Sequence, residues 1–138
     1  MIEMLACAVT GRSSVYVTTP SISGCRFIDW YPRRGPGLTL NHPDYREGHR
    51  RHDVEANLAH AASAVQRVRG AFPDVTILDP TVVEQVGWRQ ADCHEIWATV
   101  IKRYTDTVVF LEGWEYSEGC AYEFLTALRT GARPLHEV

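Results

Sequence analysis

The sequence has no apolar run approaching the roughly 18 residues that a membrane-crossing helix needs. It also has no Cys-x-x-Cys pair and no excess of basic charge. Each absence excludes a class. Without the long run, no membrane partner is expected. The four cysteines (Cys7, Cys25, Cys93 and Cys120) are scattered, so reduced thiols in a cytoplasmic setting fit better than a disulfide or zinc framework. With 14 Lys and Arg against 17 Asp and Glu, the net charge is −3. That argues against polymeric nucleic acid as partner, because binding it calls for a basic surface. His49, His52 and Asp53 carry metal-ligand chemistry at no recognised spacing, so no metal is expected. The start, Met1-Ile2-Glu3-Met4-Leu5, lacks the basic residues of a signal peptide and reads as mature sequence.

What is present points to one globular domain. The 138 residues are 45% hydrophobic and 22% charged, enough for a sizeable core. Ser14 to Thr19, β-branched and aromatic and stopped by Pro20, predicts a first strand. Gly24, Pro32, Gly35, Pro36, Gly37, Pro43 and Gly48 punctuate the next stretch and predict a long loop over about 20–52. That loop gathers Arg26, Arg33, Arg34, Arg46, Arg50 and Arg51, whose plainest role is a solvated surface. Asp53 is a candidate cap for a helix carrying Val54, Leu58, Ala61, Ala62, Val65 and Val68 at helical spacing.

Val75 to Leu78 predicts a second strand, ended by Asp79-Pro80, and 80–89 a loop with room for one helical turn. Gln90 to Tyr104 predicts a helix with Ile96, Trp97, Val100, Ile101 and Tyr104 on its apolar side. Thr107 to Leu111 is a third strand, and Glu118 to Thr130 a helix closed by Gly131. Arg133-Pro134-Leu135 starts a last strand. Short apolar strands alternating with helices predict an α/β fold: an open parallel-sheet sandwich, flavodoxin- or Rossmann-like, with right-handed crossovers. Ligands in such sheets sit beyond the carboxyl ends of the strands. The loops after the first three strands leave from those ends, so they should converge.

The segment Ser117-Glu118-Gly119-Cys120-Ala121-Tyr122-Glu123 follows the third strand. It places a hydroxyl and a glycine at a helix N-terminus, where free N–H groups and the helix dipole favour an anion. Glu123 lies one and a half turns on, among apolar neighbours. One site could thus hold a phosphate and present a carboxylate to the attached sugar. The plain alternatives are a surface glutamate and, for Ser117, an N-cap, which phosphate contact does not exclude. Trp88 and Trp114 lie in loops at the same end of the sheet. Trp88 could stack on a base or be core, and Trp114 could wall the pocket. Glu112 or Glu115 could supply a second acid, against a default of loop solvation. Cys120 sits where a thiol pKa can fall, although a small packing residue is the simpler reading.

Three stretches together resemble the nucleoside 2-deoxyribosyltransferase superfamily, including its nucleoside 5′-monophosphate N-glycosidase branch and phage-associated relatives. They are the run from Tyr16 through Ser21 to Gly24, the strand ending near Asp79-Pro80, and Asp106 to Leu111 followed by Ser117, Gly119, Glu123, Ala127, Gly131 and Arg133-Pro134. Only the third is specific.

The resemblance implies that Glu123 attacks the anomeric carbon of a ribosyl or deoxyribosyl group and expels the base, the sugar passing to water or to another base. Tyr16, Ser21, Gly24, Asp79, Ser117 and Gly119 would line the substrate. Where the monophosphate branch has a phosphate-gripping arginine, this chain has Ser23, with Arg26 close enough to substitute. The family's aspartate on the helix before the third strand falls at Trp97 or Ala98. Asp92, His94 and Glu95 lie about one turn earlier, Asp92 and Glu95 being the carboxylate candidates for the acid. The expected partner is a small nucleoside or nucleotide, with no cofactor, in a homodimer or higher homo-oligomer. Two other readings stand beside this one: a non-catalytic nucleotide-binding or sensing module, and an NAD-type glycohydrolase.

Overall fold

The computed structural model describes residues 13–83 and 89–137. Four strands form a wholly parallel sheet: β1 (Ser14–Thr18), β2 (Thr76–Leu78), β3 (Thr107–Phe110) and β4 (Arg133–His136), in the order β2-β1-β3-β4. The helices are α1 (Cys25–Arg34), α2 (Pro43–His49), α3 (Glu55–Ala71), α4 (Gln90–Tyr104) and α5 (Glu118–Thr130). A π-helical segment, Arg50–Val54, joins α2 to α3, and short 3-10 turns lie at Pro80–Val83 and Trp114–Tyr116. This is the open parallel α/β sandwich that the alternation of strand and helix patterns predicts.

Side chains alternate across each strand, so both faces of the sheet are covered. Tyr16, Val108 and Phe110 point one way and pack with Trp97, Val100 and Ile101 of α4 and Ala127 of α5. Val15, Val17, Val109 and Leu111 point the other way and pack against Ala61, Ala64, Val65 and Val68 of α3. Tyr16 stands opposite Leu78 in β2 and Val108 in β3. The start of β1 is tied to α4 and β3. The Ser14 N–H donates to Asp106 Oδ2 at 2.9 Å, and the Ser14 hydroxyl donates to the Tyr104 carbonyl.

Residues 20–52 depart from the expected loop, because α1 and α2 lie within them. Pro32 sits in the last turn of α1, where its missing N–H frees only the exposed Ile28 carbonyl. Aromatic packing offsets that loss. Trp30 is buried, its ring 5.4 Å from Tyr45 of α2 and 6.3 Å from Phe27. Asp53 is not a helix cap. It lies inside the π segment, fully buried, with neither carboxylate oxygen hydrogen-bonded. His49 Nε2 stands 4.0 Å from it. Burial raises the Asp53 pKa, and His49, His52 and Arg26 oppose the rise. In α3, Ala64 rather than Ala62 faces the core. Among the described residues, no helix is long and apolar enough to cross a membrane.

Candidate active site

With the order β2-β1-β3-β4, the chain reverses its winding between β1 and β3, and the crevice beyond their carboxyl ends is where such sheets bind ligands. A cavity of about 310 Å³ opens there. Thr19, Ser21, Ile22 and Ser23 line it from the loop after β1, and Pro80 and Thr81 from the turn after β2. Gln90, Cys93, His94 and Trp97 face it from α4, and Ser117, Gly119, Cys120 and Glu123 from the start of α5. Val54 and Leu58 close the remaining side.

Glu123 is the charged carboxyl of this cavity and is only 8% exposed. The Tyr16 hydroxyl, rising from β1, donates to its Oε1 at 2.6 Å. Its Oε2 is buried and completes no hydrogen bond, and the same holds for Thr18 Oγ1 and Thr19 Oγ1 at the end of β1. Burial pushes the Glu123 pKa up to about 7, while the Tyr16 and nearby Thr18 hydroxyls pull it down. Tyr16 in turn is held well above its ordinary value, first by burial and then by the Glu123 charge. Trp97 packs against the Tyr16 ring at 5.9 Å. The tyrosine is therefore a fixed, neutral donor aimed at one carboxylate oxygen.

The start of α5 forms the adjoining wall. Ser117 is the N-cap, its Oγ accepting from the Cys120 N–H at 3.5 Å. Gly119 admits His94. A Cβ on this residue would lie 3.0 Å from His94 Nε2. The His94 ring stacks on Tyr122, with centroids 6.2 Å apart. Cys120 does not have an activated thiol: burial and the Glu123 charge push its pKa up to about 12.

Of the residues singled out from the sequence, Ser21, Ser23, His94, Ser117, Gly119, Cys120 and Glu123 line the cavity, and Tyr16 reaches it through Glu123. Gly24, Arg26, Asp79, Asp92, Glu95 and Trp114 do not. Gly24 is the N-cap of α1, with φ at 101° and a Cβ position 3.1 Å from Pro20. Arg26 donates to Asn57 Oδ1 at 3.0 Å, and Asn57 holds the Ser23 carbonyl at 2.9 Å, so the pair braces the loop after β1. Asp79 accepts from the Thr81 N–H and hydroxyl at 2.9 and 2.6 Å and shapes its own turn. Asp92 is paired with Arg89 at the surface, and Glu95 is exposed. Trp114 packs away from the cavity against Phe110 and Phe124, at 5.0 and 4.7 Å. Trp88 lies outside the described residues.

Sequence reasoning named His94 beside Asp92 and Glu95 without choosing between them, and missed Gln90 and Cys93 of the stripe Gln90, Cys93, His94 and Trp97. Its signal was available, because stepping back from the buried Trp97 by one and two helical turns lands on these residues and passes over Asp92 and Glu95. Among the described residues, no cluster of three His, Cys, Asp or Glu is placed to hold a metal ion.

No family model matches the chain, and no curated protein and no solved structure matches it. The likeness to the deoxyribosyltransferase superfamily thus rests on the motif residues themselves.

Proposed function

We propose that this protein cleaves the N-glycosidic bond of a nucleoside or nucleoside 5′-monophosphate, with Glu123 as nucleophile. The observation that carries the reading is the state of Glu123: a buried carboxyl of a cavity-lining residue, one oxygen fixed by Tyr16. In this reading the Glu123 carboxylate bonds to C1′ as the base departs, and the glycosyl ester is then opened by water or by a second base. The sugar's 5′ end points to Ser117 and Gly119, where the α5 N-terminus and its free amides favour phosphate or hydroxyl oxygens. Thr19 Oγ1, buried without a partner at the cavity wall, is a further contact for a sugar hydroxyl.

The test is a panel of nucleosides and 5′-monophosphates assayed by chromatography for free base. Glu123→Gln should lower base release by at least about 1,000-fold, the scale on which a covalent nucleophile acts, with an unchanged circular dichroism spectrum. Unchanged release by this variant removes the proposal.

One observation favours a second reading. Among the described cavity residues, Glu123 is the sole carboxylate, Asp92 and Glu95 being turned away. A substrate whose base leaves without a strong acid, such as a nicotinamide riboside unit, suits that wall. Incubation with NAD separates the two, and saturable binding of every panel member without turnover points to a non-catalytic module instead.

A further inference from the structure

We propose that His94 is the general acid that protonates the departing base, a role resting on the N-glycosidase reading above. A nucleobase is a poor leaving group until it gains a proton, so an acid must stand on the leaving side of the glycosidic bond. Four titratable side chains face the cavity among the described residues: Cys93, His94, Cys120 and Glu123. Glu123 is committed to C1′, and Cys120 holds its proton to about pH 12. Of the two that remain, imidazole is the side chain most often used for general acid–base work, whereas a thiol serves chiefly as nucleophile or metal ligand.

The geometry singles out the same residue. His94 Nε2 stands over Gly119, so close that a Cβ there would be 3.0 Å away. Gly119 and Glu123 are one turn apart on the cavity face of α5, about 6 Å along the axis. His94 from α4 and Glu123 from α5 thus enter the same cavity from two neighbouring helices, an arrangement that leaves one group for the departing base and the other for C1′. Tyr122 lies over the ring, with centroids 6.2 Å apart.

In the first step the C1′–N bond breaks and its electron pair goes to the base. The His94 imidazolium gives its proton to that base, and a Glu123 carboxylate oxygen bonds to C1′. In the second step water attacks C1′ and passes a proton to the now neutral imidazole. The C1′–O bond pair returns to Glu123, and both groups are restored.

Leaving-group dependence tests the assignment. The substrates are the purine nucleoside or 5′-monophosphate cleaved fastest in the panel and the 4-nitrophenyl glycoside of the same sugar, whose phenolate departs without a proton. His94→Gln should lower kcat for the purine substrate by about 100-fold or more and change the 4-nitrophenyl rate by less than about threefold. Glu123→Gln should abolish both. In the wild type, the purine rate should fall at alkaline pH while the 4-nitrophenyl rate does not. This limb serves as the readout if the variant fails to fold.

Equal loss on both substrates by a folded His94→Gln, or no loss on either, overturns the proposal. So does a raised KM for the monophosphate at unchanged kcat, which would make His94 an anion-binding residue. A wild type that cleaves neither substrate sinks the N-glycosidase reading itself, and this role with it.

Discussion

At the scale of single residues, the site turns on how Glu123 is buried. An oxygen nucleophile must be ionised, and burial lifts this carboxyl to a pKa of about 7. Activity on the 4-nitrophenyl glycoside should therefore rise with pH to a plateau, with half-maximal kcat/KM near pH 7. Tyr16 donates to the charged form, so Tyr16→Phe should move that midpoint to higher pH. A pH–rate profile of both proteins checks the position and the direction. An acidic optimum would contradict them.

The same burial sets a stability cost. The folded pKa lies above the ordinary glutamate value, so the native state binds the extra proton between about pH 4.5 and 7. Stability from this group is present in full below that window and is lost as pH rises through it. At pH 8 the buried charge costs on the order of 3 kcal/mol. Glu123→Gln keeps a polar partner for Tyr16 without the charge. It should melt several degrees higher than the wild type at pH 8, with the gap closing at pH 4. Differential scanning fluorimetry at the two pH values reads both outcomes. A variant that is inactive yet more stable marks a residue kept for chemistry rather than for folding.

At the scale of elements, Gly113 shows how a loop glycine positions a helix. Its φ is +80°, and a Cβ on it would meet Cys25 Sγ at 2.7 Å and the Cys25 backbone N at 3.2 Å. The loop after β3 thus lies directly on the first turn of α1. Gly113→Ala should cost about 1–3 kcal/mol, from the unfavourable φ and the displaced contact. A lowered urea midpoint at unchanged slope is the expected signature.

Elements differed in how well the sequence announced them. The bounds of α4 and α5 follow from helical spacing, Gly131 and the Ser117 cap, each a local signal. The first three strands follow from short β-branched runs. The stretch 20–52 misleads because Pro32, Gly35 and Gly48 read as breakers, yet the rings of Trp30 and Tyr31 lie over Gly48 and Gly35. A side chain at either position would collide with an aromatic ring, so Gly48 serves packing rather than a turn, and Gly35 both ends α1 and makes room for Tyr31. Asp53 misleads for another reason: an acid before an apolar helix looks like a cap unless the helix continues backwards.

At the scale of the whole molecule, topology does what no single motif reveals. The β2-β1-β3-β4 order gathers the loops after three strands, and the helices α3, α4 and α5, around one cavity. The convergence was legible in the alternation of strands and helices, and so was the place of Glu123. The far wall was legible only in part. Asp92, His94 and Glu95 stood together as candidates, but which face of α4 meets the cavity depends on how that helix packs on Tyr16 and Phe110. Charge type is written in the sequence, whereas rotational setting is decided by the core.

The π segment between α2 and α3 has a consequence for change in this chain. Five residues there fill a turn that an ordinary helix closes with fewer. Deleting any one of them would let the two helices fuse, and the positions of α2 would swing by about 100° around the common axis relative to α1 and the loop after β1. Tyr45 would leave Trp30, and His49 would leave the Ile22 carbonyl that it now meets at 2.9 Å, beside the cavity. The segment can accept new residue types far more readily than a new length. Its residue count works as a setting that keeps the aromatic cap in phase with the pocket.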